Sequence, residues 1–363
     1  MENDGEYRKI QRVGRGSYIV TLPKEWVRDL GLEKGTHVAL KVQDDSSLLV
    51  IPRRVLEERK EVQEPPLKEY RILVDPNHDP ESVCRKVTSL YVISADLIHI
   101  RFKEGKIPPK YKAAISHLSK NLLLGSEIIT ETSNEMTLQI LINHPDFPVE
   151  KAIRRMSILA LSANRDAISM LGNTDGDLAG VVAETCADVD RLNLYVIRQL
   201  KYGLERNLYE ELGFKNPKEF LGYRIVANDI KGVANNALNM ANSITTLMKM
   251  IKDRLLLLNE PVDEEIHSQI LEFNSKTHVF FEEAMSALFK RDYDRSDRLI
   301  SQMKPLTELE TEMITMISTK KLDPNISSAF RLILDSSRRL VEYGRNIAEV
   351  TLNRTIEENS QPV

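Results

Sequence analysis

From position 149 to 358 apolar residues recur at helical spacing, while glycine and proline retreat to a few junctions. That pattern commits more than half of the chain to long amphipathic helices. Six are read, over 149–171, 177–206, 217–252, 263–290, 294–319 and 325–357, with breaks at 172–176, 214–217, 259–261, 292–294 and 323–324. An internal repeat sharpens the reading. Ala167, Ser169, Leu171, Asp175 and Asp177 recur without a gap as Ala284, Ser286, Leu288, Asp292 and Asp294. Five identities at one offset indicate duplication, so the helices form two three-helix units. Packed side by side, such units bury one continuous apolar seam.

Ahead of the helices the pattern changes. Positions 70–74, 97–102, 125–130 and 136–142 read as strands, and helices start at Pro80 and near Pro109. Proline suits the first turn of a helix because its missing N–H would have no partner there. A small α/β unit results. The charged stretch 53–68, which ends in Pro65 and Pro66 before Leu67 and Lys68, reads as a linker.

The N-terminal segment is short and basic. Ile10, Val13 and positions 19–22 favour strands, Gly14 and Gly16 supply a turn, and Pro23 opens a one-turn helix over 24–30. Two more strands follow at 38–42 and 48–52. Six cations lie between Tyr7 and Arg28, namely Arg8, Lys9, Arg12, Arg15, Lys24 and Arg28, against one acid, Glu25. The whole chain carries a formal charge of -4. A basic patch on an acidic protein points to nucleic acid. Tyr18 and Trp26 are isolated, so no stacking platform for single strands is present, and duplex contact through phosphates fits better.

In order, this segment has a basic strand, a Gly-Arg turn, a strand ending in Leu-Pro, a Glu-Trp helix, Leu-Gly-Leu and a Lys-Gly turn before two strands. Over residues 7–52 it resembles the AbrB/SpoVT swapped-hairpin family. The resemblance implies a dimer with interleaved strands and basic turns on DNA. Arg8, Lys9 and Arg15 fall on DNA-contacting positions of the family, and Arg28 on one of a basic helical pair. Val27 stands where the pair's second member would be, with Arg12 and Lys24 nearby to compensate.

Ala183, Glu184, Asp188, Asp190, Arg191 and Leu192, with Asn346-Ile-Ala-Glu349 near the C-terminus, resemble the PhoU family of phosphate-uptake regulators. That likeness spans roughly 150–357 and implies an adaptor for a phosphate ABC transporter or its sensor kinase. It also implies a divalent or iron-type metal ion on acidic helix faces. Asp177, Glu184 and Asp188 share one face of a helix; Asp229 and Glu342 complete the candidate ligand set. Arg338 replaces an acid of the family pattern, and solvated acidic faces are the competing reading. Cys84 and Cys186 lie far apart, which suits a reducing compartment, and Cys186 reads as a buried small hydrophobe.

The expected fold is multidomain α+β: a dimeric swapped-hairpin β-barrel (5–53), a linker (54–68), a small α/β unit (69–147) and an all-α bundle of two PhoU-like repeats (148–258 and 259–358). The expected protein is a cytoplasmic homodimer with no membrane insertion that binds double-stranded DNA and regulates phosphate uptake. A non-DNA-binding adaptor with a merely dimerising head is the alternative, and an antitoxin-like head a third. No nucleophile–base pair or histidine ligand spacing stands out, so no enzyme is expected, and His99 reads as structural.

Overall fold

A computed structural model of the 363-residue chain describes residues 7–14, 16–42, 47–53, 67–75, 77–103, 105–142, 147–171, 177–252, 264–320 and 322–360. Most of the expected linker, up to 66, lies outside them. The chain forms two compact units, one ending at Leu67 and one starting at Lys68.

The first unit, the head, holds two antiparallel hairpins and a short helix. Strand β1 (Gln11–Val13) pairs with β2 (Ser17–Ile19), and β3 (Val38–Val42) pairs with β4 (Leu48–Pro52). Between them lies α1 (Lys24–Asp29), which follows Pro23 as expected. Among the described residues the two hairpins form separate two-stranded sheets, so no barrel closes within one chain.

The second unit begins with a four-stranded sheet in the order β5-β6-β8-β7, from β5 (Glu69–Val74), β6 (Leu97–Phe102), β7 (Ser126–Glu131) and β8 (Glu135–Ile140). Strands β5 and β6 are parallel and joined through α2 (Pro80–Val92); β8 runs antiparallel to both its neighbours. Period-two alternation puts Ile72, Val74, Ile98, Ile100, Phe102, Met136 and Leu138 on one buried face. There they meet Val83, Val87 and Tyr91 of α2 and Tyr111 and Ile115 of α3 (Pro109–Asn121). On the other face His99 Nδ1 lies 3.1 Å from Thr137 Oγ1, between the carboxylates of Glu69 and Glu135.

The bundle comprises α4 (Val149–Ser169), α5 (Leu178–Arg206), α6 (Glu219–Lys252), α7 (Glu264–Lys290), α8 (Tyr293–Ser301), α9 (Met303–Thr319) and α10 (Pro324–Asn359). The expected fifth helix is thus two. Pro305 has no N–H to give and its ring crowds the carbonyl four residues back, so the ladder stops at Ser301 and restarts at Met303. The N–H of Gln302 marks the junction, shared between the carbonyls of Arg298 and Leu299. The repeat shows in the packing, since Ala167 and Ala284 are both fully buried. Asp292 caps α8 by accepting from the Arg295 N–H at 3.0 Å; its counterpart Asp175 lies outside the described residues.

Helix α10 packs on α6, α7 and α8, and α4 packs on α5 and α6. Close approach to α7 depends on Gly344, where a Cβ would come within 2.8 Å of the buried Phe280 ring. Gly344→Ala is expected to lose about 1–2 kcal/mol, the overpacking cost less the gain in helix propensity. Urea unfolding of the full chain checks this.

Arg198 of α5 joins the α/β part to the bundle. It is 4% exposed and donates to the carbonyls of Tyr91 at 2.8 Å and Ala95 at 2.7 Å, at the C-terminal end of α2. Its other terminal nitrogen lies 3.4 Å from Asp96. Ser94, held at φ 68, donates back to the Arg198 carbonyl at 3.2 Å. Leu194 packs on the sheet's core from the same helix.

Candidate nucleic-acid interface and acidic helix faces

The β1–β2 hairpin turns at Gly14, whose φ of +66° is a conformation that side chains other than glycine rarely adopt. Register puts Arg12 opposite Tyr18 and Val13 opposite Ser17, so Arg12 and Tyr18 share one face and Val13 and Ile19 the other. Arg8 and Lys9 lead into β1, Lys24 opens α1 and Arg28 closes it, 3.6 Å from the Asp29 carboxylate. All five cations are exposed. The sixth candidate, Arg15, lies outside the described residues. Five guanidinium and ammonium groups on a unit this small form a cationic surface suited to phosphates.

The same unit buries almost none of its apolar side chains. Ile10 is 70% exposed, Leu40 62% and Val42 74%, and in the head only Pro52 among the described residues is buried. Hairpins of this size are marginal even when one face is covered. Here the apolar residues of all four strands are left largely open.

The five metal candidates are not brought together. Asp177 sits at the N-cap of α5, and Glu184 and Asp188 on the same helix are exposed. Asp229 of α6 instead turns inward, 8% exposed, hydrogen-bonded to Asn346 and with Oδ2 unpartnered. Burial pushes its carboxyl up to about 6. Glu342 is bound by Arg338, which also holds Glu310 at 3.2 Å and Asp335 at 2.7 Å. One guanidinium is therefore shared among three carboxylates, with Arg339 also on Asp335, while Lys231 pairs with Asp190 at 3.0 Å. Among the described residues no three His, Cys, Asp or Glu side chains form a metal-binding group. This donor set does not fit the metal implied by the sequence resemblance, because its carboxylates form no converging group and Glu342 is already held by Arg338.

Cys186 is buried and its thiol donates to the Ala234 carbonyl at 3.1 Å; burial pushes it up to about 11. No helix among the described residues is long and apolar enough to cross a membrane. Arg155 of α4, which sequence reasoning passed over, and Arg191 of α5, read there only as part of the PhoU-like segment, line a cavity beside Asp188. As two of 50 lysines and arginines, they carried no signal of their own.

Residues 11–57 match the family described as "Antidote-toxin recognition MazE, bacterial antitoxin". Among solved structures, the crystal structure of PhoU from Pseudomonas aeruginosa is similar at 16% sequence identity and a TM-score of 0.40, covering 58% of this chain and 96% of that one. No curated protein matches the chain. The N-terminal segment thus matches the MazE antitoxin family over residues 11–57.

Proposed function

We propose that the protein is a non-enzymatic regulator that binds duplex DNA as a homodimer through its head. The carrying observation is the exposed cation set Arg8, Lys9, Arg12, Lys24 and Arg28 on a unit that has no core of its own. A second copy would cover the open apolar faces of both hairpins and double the cationic surface. The bundle serves as the module that receives an effector or a partner. Assignment to phosphate uptake rests on the sequence resemblance to PhoU, and a phosphate transporter or its sensor kinase is the partner which that resemblance supplies.

Capture of sheared host genomic DNA, compared between the native protein and Arg12→Ala/Lys24→Ala, tests the reading. Native protein should enrich a few promoters, and the variant should not. On one enriched site the variant's salt slope should fall by about 0.9 for each phosphate it no longer neutralises. Equal capture by both proteins, or by neither, would sink it and favour an adaptor whose head only dimerises. The family description supplies a second reading, recognition of a toxin protein by the head. In that case a partner protein, and not DNA, would be retained by the native head.

A further inference from the structure

Where the α/β part meets the bundle, a cavity of about 270 Å³ opens between α4, α5 and the end of the sheet. Its walls are apolar: Leu124 and Ile142 come from the α/β part, Phe147 from the segment before α4, and Leu192 from α5. Arg155 and Arg191 also line it. Neither guanidinium has a hydrogen bond or an ion pair among the described residues, and the Nε of Arg191 is buried without an acceptor. On the same helices Arg154 is paired with Glu150 at 2.6 Å and Arg198 with Asp96 at 3.4 Å. A buried donor left unsatisfied is costly, and in native structures such a group usually awaits a water, an ion or a ligand.

We propose that this cavity binds a small organic oxyanion, with its charged head on Arg155 and Arg191 and its apolar body on Leu124, Ile142, Phe147 and Leu192. The guanidinium fork matches carboxylate and phosphoryl oxygens, and two forks hold one head better than a single ammonium would. The volume admits one small molecule, well beyond a single water. Asp188, on the rim, leaves a net positive charge and offers an acceptor to a hydroxyl on the ligand. Because the walls come from both the α/β part and the bundle, an occupant would touch both. That is a suitable place for an effector, and it does not depend on what the head binds.

Calorimetric titration of the full chain with phenyl phosphate, benzoate and inorganic phosphate, in the absence of DNA, tests this. One organic anion per chain should bind, and Arg191→Met and Arg155→Met should each weaken it about tenfold or more. Lys201→Gln, an exposed change on the same helix, should leave binding intact. Tighter binding of phenyl phosphate assigns a phosphoryl head and tighter binding of benzoate a carboxylate; either supports the site. Binding of neither organic anion, or binding that survives both arginine substitutions, would overturn it. Inorganic phosphate binding as tightly as phenyl phosphate would overturn the organic class. Arg155 is exposed, so its substitution keeps the test meaningful should Arg191→Met fold poorly. Failure here would leave the DNA reading of the head untouched, because no DNA is present.

Discussion

Arg198→Met should cost about 3–5 kcal/mol, the usual penalty for removing one member of a buried, hydrogen-bonded charge pair. The Ala95 carbonyl would lose the arginine's donor inside the protein, the Tyr91 carbonyl would keep only the Ser94 N–H, and Asp96 would lose its cation. The loss should not be spread evenly. The sheet with α2 and α3 has its own core, as does the bundle, and Arg198 with Leu194 ties the two together. Urea unfolding followed by both tyrosine fluorescence and circular dichroism should therefore separate into two transitions, with the α/β part opening first. A single coincident transition at native stability would show that the two cores adhere without this arginine.

Asp229→Asn should stabilise the protein at pH 7 by ~3 kcal/mol, since a carboxyl raised from 3.8 to about 6 is held ionised there against its burial. The sign follows from proton counts. Between about 4 and 6 the native state binds more protons at Asp229 than the unfolded chain, so rising pH removes stability through this group. Asparagine keeps the hydrogen bond with Asn346 and abolishes that loss. His278 acts in the opposite sense. Buried against Asn164 at 2.6 Å and near Arg165, it is pushed down from 6.5 to about 4. The unfolded chain then binds the extra proton, and stability through this group is lost as pH falls from 6.5 toward 4. In the native protein these two slopes largely cancel. Asp229→Asn should expose the histidine slope, seen as a melting temperature that drops steeply below pH 6. A variant less stable than the native protein at pH 7 would mean that the carboxylate is held by a partner in the fold.

Which features can be read from the chain follows from the range of the forces involved. Helix ends at Asp292 and Asp323 are legible because capping is local: each side chain accepts from a backbone N–H two or three residues on. Strand alternation at 97–102 is legible for the same reason. The break at Gln302 is equally local, since Pro305 inside the helix expected over 294–319 stops its ladder, a signal that apolar spacing alone passes over. Only the family resemblance gives Asp229 the look of a ligand; which way a helix turns is settled by its neighbours, here Asn346 of α10. Arg155, Arg191 and Arg198 look alike in sequence. Only tertiary packing makes the last a clamp and leaves the other two without partners.

The open faces of the head bear on how the protein is made and inherited. On the proposed pairing of two heads, residues 7–53 bury too little apolar surface to complete a fold within one chain and depend on a second copy. Assembly of the head is then second order in chain concentration, so halving synthesis would reduce finished heads by up to about fourfold at low abundance. If the heads pair and bind DNA as proposed, a copy with both hairpins intact but no cations would still pair with a native chain and disable its partner. One damaged allele would therefore act dominantly, through titration of the healthy product.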